Sequence, residues 1–314
     1  MAIHDETLRD GVQAPSVLDP PISVKIEMLH LLDELGVSSA CIGMPSAGPR
    51  AFDDSVRLAK EIADEGLSIR PVCAGRTVAR DLNAVVRVSQ RVGLPIEFTG
   101  FIGSSPIRWL VEHWSFRNIL HHTTSVIEYA VREGLPVTYV TEDTTRSSPE
   151  VLDSLFRAAI DHGASRLCLC DTVGHATPHG VRNLVRFTRR LIEQSGREVG
   201  IDWHGHNDRG LALANTLAAH DAGVDRLHGC VLGIGERVGN APLELLLLNL
   251  HEAGERTLER PEALSRLCRL AADEMRAPAH GLDPLLEELT QLDAPPASEA
   301  SLEREALGGV EGGA

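Results

Sequence analysis

The 314-residue chain is 43% apolar and 24% charged, a globular balance that excludes whole-chain disorder and collagen-like repeats. With 30 basic and 45 acidic residues its formal net charge is −15, the wrong sign for gripping a phosphate backbone, so nucleic acid is not an expected partner. No apolar run reaches the roughly 18 residues that span a bilayer, and the opening MAIHDETLRDG carries neither the basic nor the apolar region of a secretory signal. No membrane partner is expected, and the predicted location is cytoplasmic.

Eight short β-branched or apolar runs recur along the chain, at residues 3–7, 39–44, 69–74, 96–102, 137–141, 166–170, 200–204 and 226–232. Helical stretches separate them. In the first, Ser23 is placed to cap, Val24, Met28, Leu31, Leu32 and Leu35 follow at helical spacing, and Gly36 stops the helix. Glycine closes later units at Gly66, Gly134, Gly163 and Gly223, as left-handed helix ends require. Strand–helix alternation implies parallel strands with right-handed crossovers, and eight units within about 250 residues is the arithmetic of a (β/α)8 TIM barrel. A doubly wound sheet is the rival, but no G-x-G-x-x-G follows the first run.

The predicted division is a catalytic barrel over residues 1–253, a helical C-terminal appendage over 254–292 and a tail over 293–314. The appendage is read as one amphipathic helix at 259–275 and a second at 283–292. The tail is rich in Ala, Pro, Gly and Glu, too poor in bulky apolar groups to offset its ordering entropy, and is predicted to be disordered. The six cysteines form no C-x-x-C pair and lie mostly in apolar segments, which reads as buried free thiols.

In a barrel the reactive groups belong at the C-terminal strand ends. Four of those ends are unusually polar: TLRDG at 7–11, EDTTR at 142–146, DTVG at 171–174 and HGHND at 204–208. His204 and His206 are spaced i, i+2, so they share one strand face and can converge on one ion. Two hydrogen-bonded histidines are the plain alternative for H-x-H alone. Asp10 and Asp208 at the same rim tip the balance toward a metal site of two nitrogens and one oxygen. Arg9 beside Asp10 reads either as a solvated ion pair or as a stabiliser of developing oxyanion charge. Glu142 reads as a general base or as a helix N-terminal acid, and spacing leaves both open. The glycines of GIGERVGN at 233–240 permit close backbone approach to a ligand, though such a loop often marks only a tight turn.

Together these segments resemble the metal-dependent barrel family of 2-isopropylmalate, homocitrate and citramalate synthases and hydroxymethylglutaryl-CoA lyase. DETLRDGVQ at 5–13, FIGSSPI at 101–107, EDTTRSSPE at 142–150, DTVGHATP at 171–178, HGHND at 204–208 and GIGERVGNAPLE at 233–244 carry the likeness, in the family's order. The GIGERVGN loop looks like the synthase branch; the lyase branch is expected to carry a catalytic cysteine motif there, which the surroundings of Cys230 do not match. The resemblance implies a divalent metal (Mg, Mn or Zn) on Asp10, His204 and His206 with Asn240 close by. It implies Arg9 and Glu142 as catalytic groups, with Gln13, Thr172, Arg146, Gly233, Gly235 and Glu236 in substrate binding. Thr172 would hold the substrate carboxylate.

The activity so implied is an acyl-CoA:2-oxo-acid C-acyltransferase, condensing acetyl-CoA with a 2-oxo acid to a 2-substituted malate, in a homodimer. The alternatives are a carbon–carbon lyase on the same site and a catalytically silent accessory subunit of a synthase. Three positions depart from the family pattern: Cys41 replaces a glutamate of the substrate shell, Val12 the acidic residue of RDGEQ, and Thr99 a strand-4 histidine. They predict an altered 2-oxo acid pocket.

Overall fold

The computed structural model describes residues 1–278. The helix expected at 283–292 and the tail at 293–314 lie outside the described residues. β1 (Ala2–Asp5), α1 (Ile22–Glu34), β2 (Ser39–Cys41) and α2 (Pro49–Glu65) form the first two units. β3 (Arg70–Arg76) with α3 (Ala79–Val92) comes next, and β4 (Glu97–Gly103) is followed by α4 (Pro106–Glu112) and α5 (Phe116–Arg132). β5 (Val137–Glu142) and α6 (Pro149–Asp161) then lead to β6 (Arg166–Asp171) and α7 (Pro178–Ser195). The circuit ends with β7 (Gly200–Gly205), α8 (Ala212–Asp221), β8 (Arg226–Gly229), α9 (Leu243–Glu252) and α10 (Pro261–Glu274). The eight strands are parallel and closed in chain order, with β8 returning to β1. This is the TIM barrel expected from the alternation.

Several details differ from expectation: β1 and β2 stop at Asp5 and Cys41, short of the predicted 7 and 44. α1 begins at Ile22 after Pro21 with no side-chain cap, so Ser23 lies inside the helix rather than capping it. β8 stops at Gly229, short of the predicted 232, because residues 231–233 close into a 3-10 turn with Leu232 left-handed (φ 56°). α4 was not foreseen. It is built from a Ser–Pro start: the Ser105 hydroxyl accepts from the Arg108 N–H and Pro106 occupies the first turn, where its missing donor costs nothing. α6 and α7 start alike, at Ser148-Pro149 and Thr177-Pro178.

The pleat divides the strands into two populations. Ile3, Ala40, Cys73, Phe98, Tyr139, Leu167, Leu169, Ile201, Trp203 and Leu227 join the apolar core packed with the helices. Many of their neighbours of opposite parity are polar and meet inside the barrel, around a small apolar patch of Val140, Cys168, Cys170 and Phe101. At the lower level Arg226 is fully buried; its Nε donates to Asp202 (2.8 Å), and its two Nη atoms donate to Glu97 and Ser39. Arg166 donates to the other Asp202 oxygen (2.6 Å), and Thr138 to Glu97 (2.6 Å). Burial alone would drive both carboxyls upward, but Arg226, joined at Asp202 by His228 and Arg166, offsets it and holds Asp202 and Glu97 below their ordinary range.

Carboxyls held low in the folded state contribute stability above about pH 4, and that stability is lost as pH falls and they take protons. Arg226→Met should cost about 3–5 kcal/mol at pH 7, because it takes the guanidinium from the buried Glu97 carboxylate and leaves Asp202 with Arg166 as its cation. In urea unfolding the gap from the parent should narrow toward pH 3, as those carboxylates neutralise. An equal cost at both pH values would mean that packing rather than charge holds the cluster.

Candidate active site

Above the Arg226 layer the barrel opens into a cavity of about 620 Å³ at the C-terminal strand ends. Its wall includes Glu6, Arg9 and Asp10 from the β1 end, Glu142 from β5, Thr172 after β6, and His204 and His206 from β7. His204 and His206 present their Nε2 atoms to each other at 3.2 Å, and these lie 3.6 and 3.8 Å from Asp10 Oδ2. All three residues are buried. Burial resists charge on Asp10, yet Arg9 and the two imidazoles outweigh it and keep its carboxyl well below the usual range. Burial, together with His204 beside it, pushes His206 down to about 4. An ionised carboxylate and a neutral imidazole therefore converge with His204 on one point.

The other carboxylate named from the sequence, Asp208, is not part of this group. It is held by Arg237, whose Nε donates to it at 2.8 Å and whose Nη2 also donates to the Thr172 carbonyl. Arg237 thus ties the glycine-rich loop to the ends of β6 and β7.

That loop folds back onto the metal-type cluster. The Glu236 N–H donates to Asp10 Oδ1 (2.9 Å), the Asn240 N–H to the Gly233 carbonyl (2.9 Å), and the Asn207 N–H to the Gly239 carbonyl (2.9 Å). The Asn240 amide donates to Asp10 Oδ1 (3.0 Å), while its own buried Oδ1 finds no partner among the described residues. Glycine is required at Gly235, where a Cβ would stand 2.0 Å from the Asn240 amide nitrogen and 2.7 Å from Asp10. Gly233 and Gly235 do not reach the cavity wall; Glu236 does.

The remaining predicted residues are dispersed around the mouth. Gln13 is exposed at the rim and lines the cavity. Arg146 also lines it, but its guanidinium is engaged with Asp143 through two bonds of 2.7 Å. Asp143 is left-handed (φ 64°), and its N–H donates to the Thr172 hydroxyl (2.8 Å). Of the three departing positions Thr99 lines the cavity, whereas Cys41 is wholly buried and its thiol is pushed up by burial and by the nearby Glu6 charge.

Sequence reasoning missed Glu6, His228 and Arg108. Glu6 sits between Arg9 (2.8 Å) and His4 (3.2 Å), and burial alone would raise its carboxyl, but Arg9 and His4 hold it well below the usual range. The H-x-E spacing of His4 and Glu6 was a readable signal, being the same i, i+2 rule that singled out His204 and His206. Arg108 on α4 approaches Glu142 at 3.5 Å, and no spacing in the sequence announces that contact. Gly103 makes it possible, since a Cβ there would lie 2.2 Å from the Arg108 stem.

A family profile described as HMGL-like matches residues 1–273. The chain belongs to this family. It is 38% identical to the homocitrate synthase of Methanopyrus kandleri over 80% of its length, covering 59% of that protein. It is 34% identical to the 2-isopropylmalate synthase of Sulfolobus acidocaldarius over 81% of its length, covering 64% of that protein. The chain thus spans about three-fifths of the length of these relatives. The HMG-CoA lyase of B. subtilis shares the fold with a TM-score of 0.74 at 22% identity, over 91% of this chain and 97% of that one. Among the described residues no helix is long and apolar enough to cross a membrane.

The Glu142 carboxyl is raised by burial, which outweighs the opposing pull of Arg108, with Asp143 and Glu236 adding to the rise. Arg108→Gln removes that pull. Carbon-13 NMR of glutamate-labelled protein should show Glu142 titrating above the ordinary value of 4.5 and higher still in the variant. An unchanged midpoint would show that the 3.5 Å approach does not persist in solution.

Proposed function

We propose that this chain is a divalent-metal-dependent acyl-CoA:2-oxo-acid C-acyltransferase, joining the methyl carbon of acetyl-CoA to the ketone of a 2-oxo acid. The observation that carries the reading is the convergence of Asp10, His204 and His206 on one point of the cavity, with Arg9 against it and Glu142 on the same wall. The synthase names of the relatives support it.

The donor set fits a divalent ion. Two imidazole nitrogens 3.2 Å apart cannot both carry a proton between them, and a buried amide oxygen at Asn240 lacks a partner nearby. Nitrogen and carboxylate donors in this number suit a borderline transition ion and leave positions open for a chelating substrate. Such an ion supplies Lewis-acid polarisation of the ketone.

The chain's own residues supply the rest. Arg9, held by Glu6 through Nε and by Asp10 at 3.1 Å, turns a fixed cationic edge toward the cavity, where oxyanion charge develops on the former ketone oxygen. Glu142 takes the methyl proton; burial raises its carboxyl and makes it a stronger base than an exposed glutamate. Thr172 and the Arg146–Asp143 pair border the place for the substrate carboxylate. Water then cleaves the thioester, so acetyl-CoA, 2-oxo acid and water give a 2-substituted malate and free CoA thiol. The buried thiols lining the cavity, Cys168 and Cys170, meet at 3.8 Å beside Val140 and Phe101, and they act as wall.

A lyase using a loop cysteine is disfavoured by Cys230. It is fully buried, does not reach the cavity, and its thiol is pushed well up by burial and by the surrounding carboxylates.

Thiol release from acetyl-CoA against a panel of 2-oxo acids, with and without added divalent metal, tests the reading. Metal-dependent release with at least one 2-oxo acid is expected; none across the panel, with cleavage of a 3-hydroxyacyl-CoA instead, would overturn it. His204→Ala and His206→Ala should each weaken divalent-ion binding by well over tenfold while the circular dichroism of the barrel is unchanged. Arg9→Lys should lower kcat by about 10²–10³ with a smaller change in KM, because lysine keeps the charge and loses the planar fork. Glu142→Gln should abolish solvent exchange of the acetyl-CoA methyl protons in the presence of a non-reacting 2-oxo acid analogue. If the variant exchanges like the parent, the base lies elsewhere.

A further inference from the structure

A second cluster of ligating atoms lies beside the first, and its part in the proposed chemistry is limited to the hold of Glu6 on Arg9. His4 and His228 are register partners on the adjoining strands β1 and β8, and Glu6 follows His4 by two positions on the same face. Glu6 Oε1 lies 3.2 Å from His4 Nε2 and 3.7 Å from His228 Nδ1, and the three ligating atoms all fall within 4.8 Å of one another. All three residues are buried, yet Glu6 and His228 line the cavity, so an ion has a way in.

The proton inventory makes this more than a polar contact. His228 Nε2 lies 3.2 Å from the Asp202 oxygen that also accepts from Arg226 Nε, so Nε2 carries the ring proton and donates it. Nδ1 is then a bare lone pair, and it is buried with no hydrogen-bond partner among the described residues. It faces a Glu6 oxygen that is itself an acceptor. Two buried lone pairs aimed at each other repel unless a cation lies between them. Carboxylate behind imidazole is also the arrangement that orients metal-bound histidines and raises their basicity. His4 can complete the set: if Nδ1 donates to Ser39 Oγ at 2.8 Å, its Nε2 is free to ligate.

We infer that His4, Glu6 and His228 form a second divalent-metal site at the cavity floor, distinct from Asp10, His204 and His206. Two imidazole nitrogens and one carboxylate oxygen select Zn²⁺, Co²⁺ or Fe²⁺ over Mg²⁺ or Ca²⁺. The two groups are neighbours, with the His204 and His228 rings 5.6 Å apart edge to face. They do not share a carboxylate. Arg9 lies between, bonded to Glu6 on one side and to Asp10 on the other, and its charge screens one site from the other.

The test is cobalt binding to chelator-stripped protein, followed by visible absorption and calorimetry. The parent should take two equivalents. The Asp10→Asn/His204→Gln double variant should keep one, and Glu6→Gln or His228→Gln should each lose one, by more than a tenfold drop in affinity, while keeping the other. Because buried substitutions can unfold the barrel, circular dichroism accompanies each variant, and the parent itself is followed by long-range nitrogen-15 spectra during Zn²⁺ titration. His228 Nδ1 and His4 Nε2 should shift together, separately from His204 and His206. A single equivalent in the parent that Glu6→Gln retains, or a double variant that is folded and binds none, would overturn the second site. So would histidine spectra in which His4 and His228 do not move. Failure of the Asp10 site instead appears as loss of the equivalent that survives in Glu6→Gln, so the two readings fail separately.

Discussion

The buried guanidinium of Arg226 is the interaction on which the barrel interior depends. A ring of parallel strands normally fills its centre with branched apolar side chains. Here the inward positions carry Glu97, Asp202, Arg166 and Arg226, and burying those charges is tolerable only because they neutralise one another at 2.5–3.1 Å. Asp202 is the link upward. It accepts from Arg226 and Arg166 below and from His228 above, so the floor charge also sets the tautomer of a histidine that lines the cavity.

From that floor, polarity rises through the barrel in layers. His4, Glu6 and His228 come first, then Arg9 with Asp10, His204 and His206, and Glu142, Thr172 and Arg146 border the mouth. Each layer draws on strands far apart in the chain and adjacent in the ring; residue 4 meets residue 228 only because β8 closes onto β1. Arg9 is the hinge of the arrangement, since it holds the carboxylates of two neighbouring ligand groups at once. The glycine-rich loop adds a lid of backbone and amide donors around Asp10. Gly235 is there for space rather than for ligand contact.

Much of this was legible beforehand, and for a physical reason. Alternation of strand and helix is a local periodicity, so the eight strands and the TIM barrel followed from spacing alone. Residues two apart on a strand share a face, so His204 and His206 were readable as a pair. The strand ends of such a barrel point at one cavity, so Asp10, Arg9 and Glu142 were readable as its lining. The errors were local as well. Ser23 resembled a cap but is the second residue of a helix opened by Pro21, and the run at 226–232 kept its apolar pattern past the point where the backbone turns left-handed at Leu232.

What only the tertiary structure decided was which charged groups meet. Spacing alone left Asp10 and Asp208 equal as carboxylates at the rim, where the family resemblance favoured Asp10, and folding separated them by giving Asp208 to Arg237 and Asp10 to the imidazoles. It left Gly233 and Gly235 as possible ligand contacts, and folding turned them into packing around Asn240. It gave no notice of Arg108 beside Glu142, or of His228 over Asp202 and against Glu6, because those contacts join strands or helices whose order in the ring is fixed only when the barrel closes. Periodicity is written along the chain and determined the fold and the direction each side chain faces. Pairing of buried charges depends on distances across the barrel, which no stretch of sequence contains.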